Sequence, residues 1–169
     1  MLAGGYRLHD GPDDGRPGVT IVTTGAMAPE ALEAATELDG EGVQATVINL
    51  TSPTRTYESW RASYINPVQT ATTVRPPSHL HRLVPHNERQ RPIVSVHDAA
   101  SHNLAWLGSA IGSRQYPLGV DRFGESGTIA DLHEITGISA ANITNAALVA
   151  LTEMEPDEPR EAETPTPAQ

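Results

Sequence analysis

The chain has 169 residues, 38% of them hydrophobic, with one Phe and two Trp, and its formal net charge is −10. That length supports one domain with a core of Ala, Val, Leu and Ile, and the acidic balance excludes a basic stripe that could neutralise nucleic-acid phosphates. Cysteine and lysine are absent, which excludes disulfides, thiolate catalysis, cysteine metal sites and lysine Schiff bases within this chain.

The opening MLAGGYRLHDGPDDG has neither a basic flank nor an apolar run, so no signal peptide is expected. No segment reads as long and apolar enough to cross a membrane, and a soluble, cytoplasmic chain is the expectation. Tyr6 to Leu8 supplies a short strand, followed by a turn rich in Gly, Pro and Asp. Val19 to Thr24 (VTIVTT) reads as a strand buried on both faces. The helix from Pro29 to Asp39 places Leu32, Ala35 and Leu38 on one face, with proline in its first turn and Gly40 and Gly42 to stop it. Val43 to Leu50 is the next core strand, leading into a short helix through Trp60.

Ala62 to Arg91 carries Pro67, Pro76, Pro77 and Pro85 with little periodicity. It reads as an irregular connection, of a length that is usually functional or draped over a partner. Strands resume at Ile93 to Val96 and Gln115 to Val120, and helices are expected at Asn103 to Ile111, Ile129 to Thr136 and Ala140 to Thr152. Residues 1–153 thus form one α/β domain, and the acidic, Pro-rich residues 154–169 read as a disordered tail.

Three groups of residues invite chemistry. His97, Asp98, Ser101 and His102 gather at the end of a strand, where open α/β sheets bind ligands. No Gly-x-Ser-x-Gly elbow accompanies Ser101, and Asp98 and Ser101 read as caps of the following helix. His79, His81 and His86 lie close in sequence, but the segment offers no element to hold a metal's ligands and second shell. His133 reads as a surface or boundary residue of its helix. The turn from Gly119 to Thr128 lacks the Gly-Lys-Ser/Thr ending of a phosphate loop. Its glycines permit a tight bend, Phe123 is expected to plug the core, and Thr128 caps the next helix with Asp131. A weak anion or interface role for this turn is the alternative.

Taken as text, GGYRL, VTIVTTGAMAPEALEAATEL, GVQATVINLTSPTRTYESWR and the run Pro92 to Gly137, with GVDRFGESG and TIADLHEITGI its most specific pieces, occur in an order that resembles one family. It is the C-terminal domain of the transketolase-like, thiamine-diphosphate-dependent enzymes, and the likeness within it is to the decarboxylating component of homodimeric pyruvate dehydrogenase. The resemblance implies a three-layer αβα sandwich, with a mostly parallel sheet of about five strands and one antiparallel edge strand. It also implies that the cofactor, thiamine diphosphate with magnesium, belongs to partner subunits carrying the pyrophosphate- and pyrimidine-binding domains. No Gly-Asp-Gly occurs in this chain, so no catalytic, cofactor-binding or metal residue is carried over.

The implied role is assembly and dimer scaffolding in a dimeric or higher oligomer, as a split-enzyme subunit silent on its own or as part of a longer chain. A free-standing α/β binding or regulatory protein that kept the fold without activity is the other reading. Candidate interface residues are His97, His102, Asp121, Arg122, Phe123 and Glu125.

Overall fold

In the computed structural model, residues 3–122 and 124–154 are described; Phe123 and the stretch read as a tail, from residue 155 onward, lie outside them. Five strands form one sheet in the order β1-β3-β2-β4-β5. They are β1 (Tyr6–His9), β2 (Gly18–Thr23), β3 (Gln44–Asn49), β4 (Ile93–Val96) and β5 (Gln115–Leu118). β2 to β5 run parallel, and β1 lies antiparallel to β3 at one edge, as the resemblance implied. At the other edge β5 accommodates Pro117, whose missing donor is harmless only where no further strand pairs.

The parallel strands are buried on both faces because helices cover both. On one face Val19, Ile21, Val47, Val94 and Val96 pack against α1 (Ala28–Gly40) and α6 (Ala140–Thr152). On the other, Val22, Ile48 and Ile93 meet α3 (His79–Leu83) and α4 (Leu107–Ile111), with Trp60 of α2 (Pro53–Thr70) against them. Fully burying one such aliphatic side chain is worth about 1.5–3 kcal/mol. α5 (Ile129–Thr136) buries none of its residues fully and ends at Gly137, whose φ of 73° turns the chain into α6. That glycine also divides the apolar run from Ile129 to Thr152, the one described stretch with the length and hydropathy of a membrane span. It yields helices of 8 and 13 residues, each short of the ~20 needed to span a bilayer.

Several expectations are corrected. The buried face of α1 is Ala31, Ala34, Ala35 and Leu38, whereas Leu32 is exposed: the expectation holds for Ala35 and Leu38, and alanines take the place given to Leu32. α2 does not stop at Trp60 but runs to Thr70, so much of the segment read as irregular is helical. Pro67 is tolerated because it removes a ladder donor only one turn from the helix end. α2 closes on Ala71, which takes a φ of 51°, unusual for a residue with a side chain. α3 occupies another part of the same segment and is held by a capping box in which Ser78 and His81 satisfy each other's amides. The helix expected from Asn103 begins as a single 3-10 turn, Ser101–Asn103, and becomes α-helical only at Leu107.

Candidate functional site

β3 and β4 follow β2 on opposite sides of it in the sheet, which makes the carboxyl ends of β2 and β4 the point where the winding reverses. Ligands in open α/β sheets bind beyond this point. Thr24 and Gly25 leave β2 there, and His97 and Asp98 leave β4. Gly25 has a φ of 65°, and a Cβ on it would lie 2.9 Å from Asp98 Oδ1, so the carboxylate rests directly on glycine backbone.

His97 and Asp98 border different cavities. His97 lines one of about 560 Å³ with Thr24, Thr54, Tyr57, Asn103 and Trp106. Asp98 lines one of about 320 Å³ with Val120, Arg122, Glu125, Ile129 and His133. His97 Nε2 stands 3.4 Å from Asp98 Oδ1, and its Nδ1 is buried without a hydrogen-bond partner among the described residues. Thr24 spends its hydroxyl on the Leu50 carbonyl at 2.7 Å.

The capping roles given to Asp98 and Ser101 do not hold: the 3-10 turn begins at Ser101 itself, follows Ala100 and has no side-chain cap. Instead Asp121, arriving from β5, accepts the Ser101 amide at 2.9 Å. Hydrogen bonds from Ser101, side chain first and amide second, with the charge of His102 added, hold the Asp121 carboxyl below the ordinary carboxylate value. The 119–121 stretch can approach so closely because Gly119 has no side chain; a Cβ there would sit 2.5 Å from both Ala99 O and Ser101 N. At the far end of the turn, Thr128 accepts the Asp131 amide and Asp131 the Thr128 amide, the capping box expected from the sequence.

Five of the six candidate interface residues are thereby placed, in three positions. His97 faces the cavity walled by Tyr57 and Trp106, Asp121 bonds the Ser101 amide next to His102 in the loop after β4, and Arg122 and Glu125 rim the cavity under α5. Phe123 lies outside the described residues. His133 bridges α5 to α1 through Glu30 Oε1 at 3.0 Å, a boundary position. His79 and His81 are committed to backbone, their Nε2 atoms lying 2.8 Å from Gly5 O and 3.1 Å from Ala110 O.

An aromatic cluster was missed. Trp60 stacks on Trp106 with ring centroids 5.4 Å apart, Tyr57 meets Trp106 edge-on at 5.2 Å, and Tyr64 packs on Trp60 at 5.1 Å. The spacing of 57, 60 and 64 along one helix was its only sequence signal.

This arrangement offers rings, hydroxyls, an amide and one imidazole, which suits contact more than bond-making. Among the described residues Ser101 and His97 share no hydrogen bond of the kind a nucleophile and its base require. Nor do the strand ends fit thiamine diphosphate. Magnesium bound to a pyrophosphate requires converging oxygen donors, whereas Asp98 lies against Gly25 and Asp121 against Ser101.

Comparison with known proteins agrees with this architecture. The family model of the transketolase-like TK C-terminal domain matches residues 4–139. The chromosomal transketolase of Cupriavidus necator is 31% identical over 153 residues, 90% of this chain and 19% of that protein. The 1-deoxy-D-xylulose-5-phosphate synthase of Streptomyces griseus is 32% identical over 119 residues, 70% of this chain and 15% of that protein. The chain therefore spans less than a fifth of the length of these relatives. Among solved structures, transketolase from Leishmania mexicana superposes with a TM-score of 0.61 at 20% identity, covering 91% of this chain and 19% of that one. A split-gene transketolase, described as an inactive β4 tetramer, gives 0.55 at 24% identity, covering 90% of this chain and 43% of that one. From the match over residues 4–139, the chain belongs to the transketolase-like TK C-terminal domain family.

Proposed function

We propose that this chain is the C-terminal, non-cofactor-binding part of a thiamine-diphosphate-dependent enzyme of the transketolase-like kind. It serves assembly and dimer scaffolding for cytoplasmic subunits that carry the pyrophosphate- and pyrimidine-binding domains. The observation that carries the reading is the proportion of the match: nine-tenths of this chain corresponds to about one-fifth of a transketolase. The strand-end residues support a contact role, since among the described residues they form cavity walls and hydrogen-bonded loops. A split-gene transketolase that is inactive as a β4 tetramer supports, by analogy of fold, a chain that is silent without its partners. Pyruvate-dehydrogenase-type decarboxylation is the proposed reaction class, on the GVDRFGESG text of the turn.

The turn from Asp121 to Thr128 is the proposed contact with those partners. Arg122 is exposed, with no hydrogen bond or ion pair among the described residues, and Ile129 beside it leaves 74% of its surface uncovered. The planar guanidinium can take a partner carboxylate through two donors.

Charge reversal, Arg122→Glu, should weaken assembly with cofactor-bearing subunits by about tenfold or more, as truncating or inverting a paired charge does. The thermal midpoint of the isolated chain should not change. The isolated chain should also show no magnesium-dependent binding of thiamine diphosphate and no turnover of pyruvate. Unchanged assembly rejects the role of the turn, and magnesium-dependent cofactor binding rejects the whole reading.

A further inference from the structure

Away from the strand ends, α2, the 71–78 arm, α3 and α4 enclose a cavity of about 550 Å³, within the range that holds small ligands. Its wall contains Arg75, Arg89, Trp60, Tyr64, Ser63 and His81, and among the described residues no carboxylate borders it. On a chain of net charge −10, two guanidiniums gathered without an acid between them are the reverse of the average surface. We propose that this cavity binds a small anion carrying a planar ring, of the nucleoside-phosphate class, with the phosphates on Arg75 and Arg89 and the ring against Trp60 and Tyr64.

The two arginines are prepared differently. Arg89 is anchored, donating from Nε to Val84 O at 3.2 Å and from Nη2 to His81 O at 3.1 Å. Both partners are neutral carbonyls, so its charge is uncompensated. Arg75 makes no hydrogen bond or ion pair among the described residues and is exposed. It precedes Pro76 and Pro77, and a residue before proline is held extended, so a stiff arm carries its charge to the cavity. Guanidiniums suit phosphate because their forked donors match its oxygens.

His81 belongs to the wall and is not a ligand donor. Its Nε2 faces Ala110 O at 3.1 Å and its Nδ1 faces the Ser78 amide and hydroxyl at 3.3 and 3.1 Å. Burial chiefly, then the charges of Arg89 and Arg75, lower its pKa from the ordinary value, while its bond to Ala110 opposes the shift. Both arginines line the cavity with His81. The aromatic floor is rigid, since Trp60 is itself stacked on Trp106, and a stacked ring loses little freedom when a second ring is laid against it.

This inference needs no partner subunit, so it can fail or stand independently of the assembly reading. The only two tryptophans of the chain are Trp60 and Trp106, which makes intrinsic fluorescence a direct reporter. The full chain, in EDTA so that metal-dependent binding is excluded, is titrated with ADP, inorganic pyrophosphate and adenosine. A saturable change with ADP is expected at or below roughly 1 mM, with pyrophosphate at least about fivefold weaker and adenosine silent. Arg75→Gln should weaken ADP about tenfold, the usual worth of one charge-assisted contact, without moving the ligand-free thermal midpoint. Absence of a saturable ADP response, unchanged affinity in Arg75→Gln, or adenosine binding as well as ADP overturns the site. Pyrophosphate binding as tightly as ADP overturns the role given to the rings.

Discussion

Arg7 and Glu88, 81 positions apart, meet through two hydrogen bonds of 2.8 and 3.0 Å. The pair ties the antiparallel edge strand to the connection before β4, and Arg7 adds a bond to Leu83 O at 2.8 Å and one to Asp10. The Arg7 pKa is raised, first by its hydrogen bond to Glu88. Glu88 keeps 11% of its side-chain surface and Arg7 24%, and Arg91 stands 3.9 Å from the same carboxylate. Removing one partner of a buried pair costs about 3–5 kcal/mol because the other charge is stranded. Partial exposure and Arg91 bring the expected loss for Arg7→Met to about 2–3 kcal/mol. Replacing both partners by apolar residues should cost less than Arg7→Met alone, because the buried Glu88 carboxylate is then not left without its main partner. Urea unfolding of the two singles and the double closes the cycle; a loss below about 0.5 kcal/mol for Arg7→Met would show the pair to be ornamental.

His81 makes stability depend on pH near neutrality. Its folded pKa is lowered, chiefly by burial and further by Arg89 and Arg75, against the bond to Ala110. The unfolded chain takes up the proton near about 6.5. Below that pH the unfolded state therefore binds more protons, and stability falls as pH drops from about 6.5 toward the folded value. Above it the contribution is complete. The carboxyls of Asp121 and Asp131 are lowered by Ser101 and Thr128, so what they contribute is present above about pH 4 and is lost only in acid. Those two windows do not overlap. Urea midpoints at about pH 7.5 and 5.5 should differ in the native chain and differ less in His81→Gln. An equal drop in both would assign the effect to another group.

The parallel strands are legible because runs rich in Val, Ile and Thr, such as Val19 to Thr23 and Ile93 to Val96, carry no charged residue and so no face that must be exposed. The full length of α2 is hidden in the sequence because Pro67 and the prolines beyond it mask the helical spacing of Tyr57, Trp60 and Tyr64. The face of α1 is not legible from its large residues, because the surface that approaches the sheet is mostly alanine. At the site, polar residues at strand ends drew attention correctly to His97, Asp98 and Asp121. Their partners could not be read, since Asp121 meets Ser101 only after β5 returns beside β4. The stacking of Trp60 on Trp106 across 46 positions is likewise a product of the fold.

Gly119 and Gly124 sit in the same turn for different reasons, and substitution separates them. Gly124 has a φ of 103° with open space around it, so any side chain there is strained by backbone conformation alone. At Gly119 space is the constraint: a Cβ would meet Ala99 O and Ser101 N at 2.5 Å and Ser101 Cα at 2.6 Å, all backbone. Backbone cannot rotate away as a side chain can, so the loop after β4 must move, and with it the bonds Ser101 N to Asp121 and Val120 N to Ala99 O. Overpacking of this kind costs about 1–3 kcal/mol, and the lost bonds place Gly119→Ala at the upper end. Gly124→Ala should cost about 1–2 kcal/mol, the usual penalty of a left-handed residue. The two should also differ in what they disturb. Gly119→Ala shifts the environment of His97 and Asp98 at the end of β4, which imidazole and amide NMR resonances would register, whereas Gly124→Ala leaves those resonances in place. Equal perturbation of the β4 end by both variants would mean that the turn moves as one body and that the close approach of Gly119 does not hold the loop.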